Sequence, residues 1–228
     1  MILSIETTTA ACSVALHHNG NLLASQDVFG DQTHASMLTV QIDSLLQQTR
    51  STPSQLTAIA LSDGPGSYTG LRIGSSTAKG LCLALDIPLV AVSTLEAMAL
   101  QVATLVKNLP TSSKQVLLCP MIDARRLEVY TALYTLDLEV VSPIAPLIIT
   151  ENAFEQYTEN ATIYYFGDGA AKCKTILPQP NFSYMEGIFP SARTLGTLAY
   201  LRPNVVDIAY YESLYLKEYQ GKIASKKL

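Results

Sequence analysis

Asp63-Gly-Pro-Gly-Ser-Tyr-Thr-Gly-Leu-Arg-Ile-Gly74 is the stretch whose reading decides the fold. It begins where the apolar run Ala58-Ile-Ala-Leu61 stops, and it opens a segment in which Leu71, Ala78, Leu81, Cys82 and Leu85 fall at helical spacing. A buried strand, a glycine turn and a helix running from about 67 to 85 follow one another. Amides of the first helical turn have no intrahelical partner, and Gly64, Gly66 and Gly70 would let an anion or a neighbouring stretch of chain come close to them. The residues are not a Walker loop, because no Gly-Lys-Ser/Thr triplet follows, and these glycines do not make GxGxxG. Two readings stay open on the residues alone: a phosphate cradle, or a tight strand-to-helix connection whose turn Pro65 sets.

Upstream, Met1 to Glu6 reads as a short strand ending in an acid, and Cys12 to His18 as an alternating one. Asn19-Gly20 is a two-residue hairpin turn, and Leu22 to Phe29 returns as a third strand, giving an antiparallel meander. A helix over 31–48 follows, with Leu38, Ile42, Leu45 and Leu46 on its core stripe; Met37 and Val40 widen that stripe beyond one packed face. Strands are expected over 57–62 and 89–92. Ser93-Thr-Leu-Glu96 has the form of a capping box opening a helix to about Leu109. Pro110 to Lys114 is the best boundary, separating a first lobe over 1–109 from a second over 110–228, whose final segment could pack back on the first.

The second half opens in the same way. Strands over 116–122 and 127–136 flank a turn at Asp123-Ala-Arg-Arg126, and further strands are expected over 140–144, 147–149 and 162–166. Helices are expected after Thr150, over 170–177 following Gly167-Asp-Gly169, and over 191–201. Each half therefore starts with an apolar strand, a turn and a return strand. The expected class is α/β, with two similar lobes, each a mixed sheet flanked by helices.

Composition narrows the function. Only 15% of the 228 residues are charged, which leaves apolar and small polar groups to cover much of the surface and favours a patch for a partner protein. The net charge of −4 carries no general footprint for nucleic acid. Lys217, Lys222, Lys226 and Lys227 read as a short solvated tail. His17, His18 and His34 form no ligand cluster, which argues against a histidine-rich metal site. The four cysteines are widely spaced, and Cys12 and Cys82 sit in apolar surroundings that favour buried thiols. With a strand pattern at the N-terminus and no apolar run of membrane-spanning length, the cytoplasm is the expected compartment.

Four stretches then carry a resemblance. Ile2-Leu-Ser-Ile-Glu-Thr-Thr8, the glycine stretch 63–74, Val92-Ser-Thr-Leu-Glu96 and Met121-Ile-Asp-Ala-Arg-Arg-Leu-Glu-Val-Tyr130 resemble the bacterial TsaB (YeaZ) family, as do Gly167-Asp-Gly169 and Pro190-Ser-Ala192. The resemblance implies the two-lobed fold of the actin, Hsp70 and sugar-kinase superfamily. It also implies a non-catalytic role beside TsaD in placing threonylcarbamoyl on N6 of adenosine 37 of tRNA, with TsaE as the associated ATPase and TsaC-type enzymes supplying the adenylate. Matched through the shared Leu/Met-Glu step, the His-x-x-x-His pair that holds TsaD's metal falls on Thr94 and Met98, neither a plausible ligand.

Three function classes follow. A scaffold and dimerisation subunit needs a free surface, which helices 31–48 and 67–85 supply: His34, Met37, Val40, Gln41, Ile73, Gly74 and Thr77 are the expected interface. Two such helices meeting a like pair make a four-helix contact, self-complementary in a homodimer and open to TsaD's equivalent helices in a heterodimer. A kinase would draw on Glu6, Asp63 and Asp123, yet the second-lobe turn offers two arginines where backbone amides should wrap phosphate. Arg125 and Arg126 instead read as partners for an acid such as Glu128, or for another protein. A peptidase lacks a nucleophile with its base. No catalytic residue, metal or firm cofactor is expected; the weak candidates for ATP or ADP are Glu6, Gly64, Gly66 and Gly70, and tRNA would be met only through the complex.

Overall fold

A computed structural model describes residues 1–30, 33–107, 114–177 and 180–217. The first half gives β1 (Ile2–Glu6), β2 (Ala11–His18), β3 (Asn21–Phe29), α1 (Thr33–Gln48), β4 (Ala58–Gly64), α2 (Tyr68–Leu85), β5 (Leu89–Ser93) and α3 (Thr94–Val106). The second gives β6 (Gln115–Asp123), β7 (Glu128–Thr135), β8 (Val140–Ile148), α4 (Glu155–Thr158), β9 (Ala161–Phe166), β10 (Phe182–Met185), α5 (Ala192–Leu201) and β11 (Val205–Val206). The expected boundary at 110–114 falls almost wholly outside the described residues.

The two sheets have one design. In the first, strands run in the order β11-β5-β4-β1-β2-β3; in the second, β10-β9-β6-β7-β8. β1 is antiparallel to β2 and parallel to β4, and β6 is likewise antiparallel to β7 and parallel to β9. The third strand of each half pairs antiparallel on the outer edge, and the fifth extends the parallel side. A meander followed by parallel additions, repeated, is the two-lobed actin, Hsp70 and sugar-kinase fold.

Local chemistry accounts for most boundaries. Asn19 and Gly20 both take positive φ, at 50° and 77°, as a two-residue hairpin of this hand requires. Ser67 caps α2, its hydroxyl accepting from the Gly70 amide at 3.3 Å. Ser93 caps α3 in the same way through the Glu96 amide, but the reciprocal half of the expected box does not form, because the Glu96 carboxylate turns to Arg202 at 3.6 Å.

The second half departs further from expectation. Residues 140–148 form one strand where two were expected, irregular in register near Ala132. The helix after Thr150 shrinks to the single turn of α4, and 170–177 to a short 3-10 turn at Ala171–Cys173. β10 and β11 are strands that the alternation does not reveal. All four cysteines are buried. Among the described residues no helix is long and apolar enough to cross a membrane.

Residues 192–206 return to the first sheet. α5 lies across the sheet, where Leu195, Leu198 and Ala199 share a buried cluster with Ala15 of β2, Ala60 of β4 and Val90 of β5, and β11 pairs with β5. Buried His17 fastens this helix: its Nε2–H donates to the Arg193 carbonyl at 2.9 Å, and its Nδ1 faces the Ser4 hydroxyl at 3.3 Å. Gly196 is required there, since a Cβ would run into the imidazole. Burial lowers the His17 pKa from 6.5. The unfolded chain takes up this proton first as pH falls, so stability is full above about pH 6.5 and declines below it, by at most about 1.4 kcal/mol per pH unit. Urea titrations across that range should show the decline in the wild type and not in His17→Gln; equal slopes would remove His17 as the cause.

Candidate functional site

The glycine stretch ends β4 and begins α2, and its glycines are occupied by the chain's own backbone. A Cβ on Gly66 would lie 2.5 Å from Thr8 O, one on Gly70 would overlap Thr7 O, and one on Gly74 would overlap the Thr7 hydroxyl. Thr7 Oγ1 donates to Gly70 O at 2.8 Å, and Ser67 N donates to Thr8 O at 2.6 Å. The loop after β1 therefore rests on the face of the turn that the missing side chains leave bare. Of the two readings open from the sequence, the geometry supports close chain packing.

The other face of the turn is covered by residues 207–217. Gly64, at φ 112°, has Leu214 O 2.9 Å from where a Cβ would stand. Leu214 N donates to Asp63 O at 2.8 Å, Tyr211 Oη donates to Asp63 Oδ1 at 2.7 Å, and Lys79 Nζ donates to Tyr211 O at 2.7 Å. Asp63 is thus engaged by Tyr211, and burial raises its pKa. The strap continues to the second lobe, where Lys217 pairs with Glu128. Lys217 is therefore part of an ion pair and not of a solvated tail; Lys222, Lys226 and Lys227 lie outside the described residues.

Glu6, the acid weighed for a cation or nucleotide, ends β1. It is fully buried, and its Oε1 accepts from Thr8 N at 2.6 Å and Thr8 Oγ1 at 2.5 Å. Burial raises its pKa, against the lowering effect of its hydrogen bonds. Glu6 thus lies buried beneath Thr8, and the loop after β1 packs on Gly66 and Gly70. Calorimetry with ATP or ADP and magnesium should show no dissociation constant below about 10 μM, roughly −7 kcal/mol; tighter binding would restore a nucleotide site.

A cleft of about 1230 Å³ lies between the lobes, lined by Thr8–Ala10, Gly66–Gly70, His34 and Ile73 on one side and by 122–128, Ile148 and Asp168 on the other. Its acids are engaged. Lys172 pairs with Asp123, Lys217 with Glu128, and Asp168 Oδ1 accepts from Asp123 N at 3.1 Å. Glu128 is therefore not the partner of Arg125 or Arg126, as the sequence suggested.

The expected interface residues divide by burial. Val40 is 56% exposed on α1, and His34, Met37, Ile73 and Thr77 are half-buried. Gln41 is not a surface residue: it is 2% exposed and donates through Nε2 to Cys12 O at 3.3 Å. Gly74 is buried against Thr7 and Leu61. Both positions correct the sequence-based surface, which follows helical spacing without the loop and strand that cover these two residues. The residues opposite TsaD's metal pair also face inward. Thr94 Oγ1 bonds Ser62 Oγ at 2.6 Å and accepts from Gly64 N at 3.2 Å, while Met98 is 1% exposed.

A family model described as TsaD, tRNA N6-adenosine threonylcarbamoyltransferase, matches residues 29–210. The tRNA threonylcarbamoyladenosine biosynthesis protein TsaB of Escherichia coli K12 is 30% identical over 239 residues, covering 100% of this chain and 97% of that one. The chain belongs to the TsaB (YeaZ) family. The TsaB of Bacillus subtilis 168 is 29% identical, over 92% of this chain and 85% of its own. YeaZ from Pseudomonas aeruginosa superposes with a TM-score of 0.76 at 27% identity, covering 94% of this chain and 99% of that chain. A second Pseudomonas aeruginosa structure, described as an uncharacterized protein with similarity to peptidase YEAZ, gives 0.80 at 28%, covering 95% and 99%. Membership places the chain in tRNA threonylcarbamoyladenosine biosynthesis.

Proposed function

We propose that this chain is a non-catalytic scaffold of the tRNA threonylcarbamoyl transferase complex, binding TsaD and working with TsaE. The observation that carries the reading is the inward, packed setting of Thr94 and Met98, at the positions matched to the metal pair of the catalytic paralogue. A threonine engaged by Ser62 and Gly64 and a core methionine cannot chelate iron or zinc. The sealed Glu6 and the filled glycine turn extend the same argument to nucleotide chemistry, leaving surface as the functional resource.

That surface is the face of α1 and α2 around Val40, Met37, Ile73 and Thr77. Alone, the chain pairs with a second copy through it; with TsaD present, the same face takes the partner's corresponding helices. tRNA is met through the assembly, consistent with a chain of net charge −4. Sedimentation of the chain with and without TsaD tests this directly. The expected result is a homodimer that gives way to a heterodimer as TsaD is added, and a homodimer that persists beside unbound TsaD would refute competition for one face.

A further inference from the structure

Arg125 and Arg126 form the turn between β6 and β7, and both hold left-handed backbone, at φ 74° and 52°. Two such residues in succession favour asparagine and glycine; bulky side chains are strained there. Both arginines are exposed, and among the described residues neither guanidinium belongs to an ion pair, while Asp123 and Glu128 are already held by Lys172 and Lys217. Beside them stand two exposed aliphatic side chains, Leu127 at 49% and Ile148 at 64%. All four line the interlobe cleft, and so do His34 and Ile73 of the α1/α2 face. The cleft is therefore continuous with the surface assigned above to the partner.

We propose that TsaD, when seated on α1 and α2, extends an acidic segment bearing an aliphatic side chain into this cleft, its carboxylates on Arg125 and Arg126 and its apolar group on Leu127 and Ile148. The inference rests on the scaffold reading and deepens it. Planar guanidinium forks bind carboxylates bidentately, and neighbouring aliphatic surface suits a peptide. An RNA backbone, charged at every nucleotide, calls for a longer run of cations than these two arginines, and the chain's net charge is −4.

Two variants separate binding from folding. Arg125→Gly/Arg126→Gly relaxes the left-handed turn while removing both charges, so its melting temperature should rise by roughly 2–4 °C for each kcal/mol relieved. Its affinity for TsaD at low salt should nevertheless fall at least tenfold, with a flatter salt dependence, and Arg125→Glu/Arg126→Glu should fall further. Unchanged affinity in the glycine variant overturns the proposal, as does a loss confined to the glutamate variant, which would report new repulsion only. Loss of tRNA binding by the complex at unchanged TsaD affinity would assign the arginines to RNA and likewise overturn it. If the wild-type chain binds no TsaD at all, the scaffold reading fails instead.

Discussion

Val40→Glu/Thr77→Glu should leave the fold intact and abolish both the homodimer and TsaD capture, weakening association at least about 100-fold, or roughly 2.7 kcal/mol. Val40 is 56% exposed, so a carboxylate there stays solvated in the free monomer, and at half-buried Thr77 a carboxylate keeps part of its contact with water. In a helix-to-helix contact each would be buried without a partner, a cost of several kcal/mol. Ile73 is a poorer site for the charge, because it packs against the first-lobe core and its replacement would disturb the monomer. Light scattering, TsaD pull-down and circular dichroism on the double variant are the measurements. A folded variant that dimerises and binds TsaD as the wild type does would place the interface elsewhere.

Gly70→Ala should destabilise the isolated chain by about 3 kcal/mol, lowering its melting temperature by roughly 6–12 °C with no ligand present. The new Cβ would collide with the Thr7 carbonyl, and the Thr7 hydroxyl is itself bonded to Gly70 O at 2.8 Å. Neither backbone can withdraw easily: Thr7 follows buried Glu6, and Gly70 lies in the first turn of α2. If the turn existed to hold phosphate, the same substitution would spare the empty protein and show its effect on binding alone. Thermal melts of the wild type and of Gly70→Ala distinguish the two, and a melting temperature within about 2 °C of the wild type would contradict the packing role.

The first lobe was legible because its signals are local. Asn19-Gly20 fixes a hairpin, Ser67 and Ser93 cap helices, and Leu38, Ile42 and Leu45 mark a core stripe that the structure buries. The second lobe was less so. β10, at Phe182–Met185, is four residues added to the parallel edge of β9, and neither turn chemistry nor alternation announces it. α4 reduces to one turn because Phe154, at φ 68°, stands before it with no side-chain cap. At the candidate site, the glycines were visible but what fills them was not: Thr7, Thr8 and Leu214 arrive from far along the chain. The same limit explains Gln41 and Gly74, whose spacing suits a surface stripe while β2 and the loop after β1 bury them. Arg125 and Arg126 were readable as unusual turn residues; that Lys172 and Lys217 take the nearby acids required the fold.

The most direct test of the scaffold account is a time course of labelled threonine incorporation into unmodified tRNA, with a TsaC-type enzyme supplying threonylcarbamoyl-adenylate. This chain alone should transfer nothing, because Thr94 and Met98 are engaged in the core where the paralogue would hold metal. Modification should begin when TsaD is added and continue through repeated turnover when TsaE is present. Robust modification of tRNA by this chain without TsaD would contradict the account.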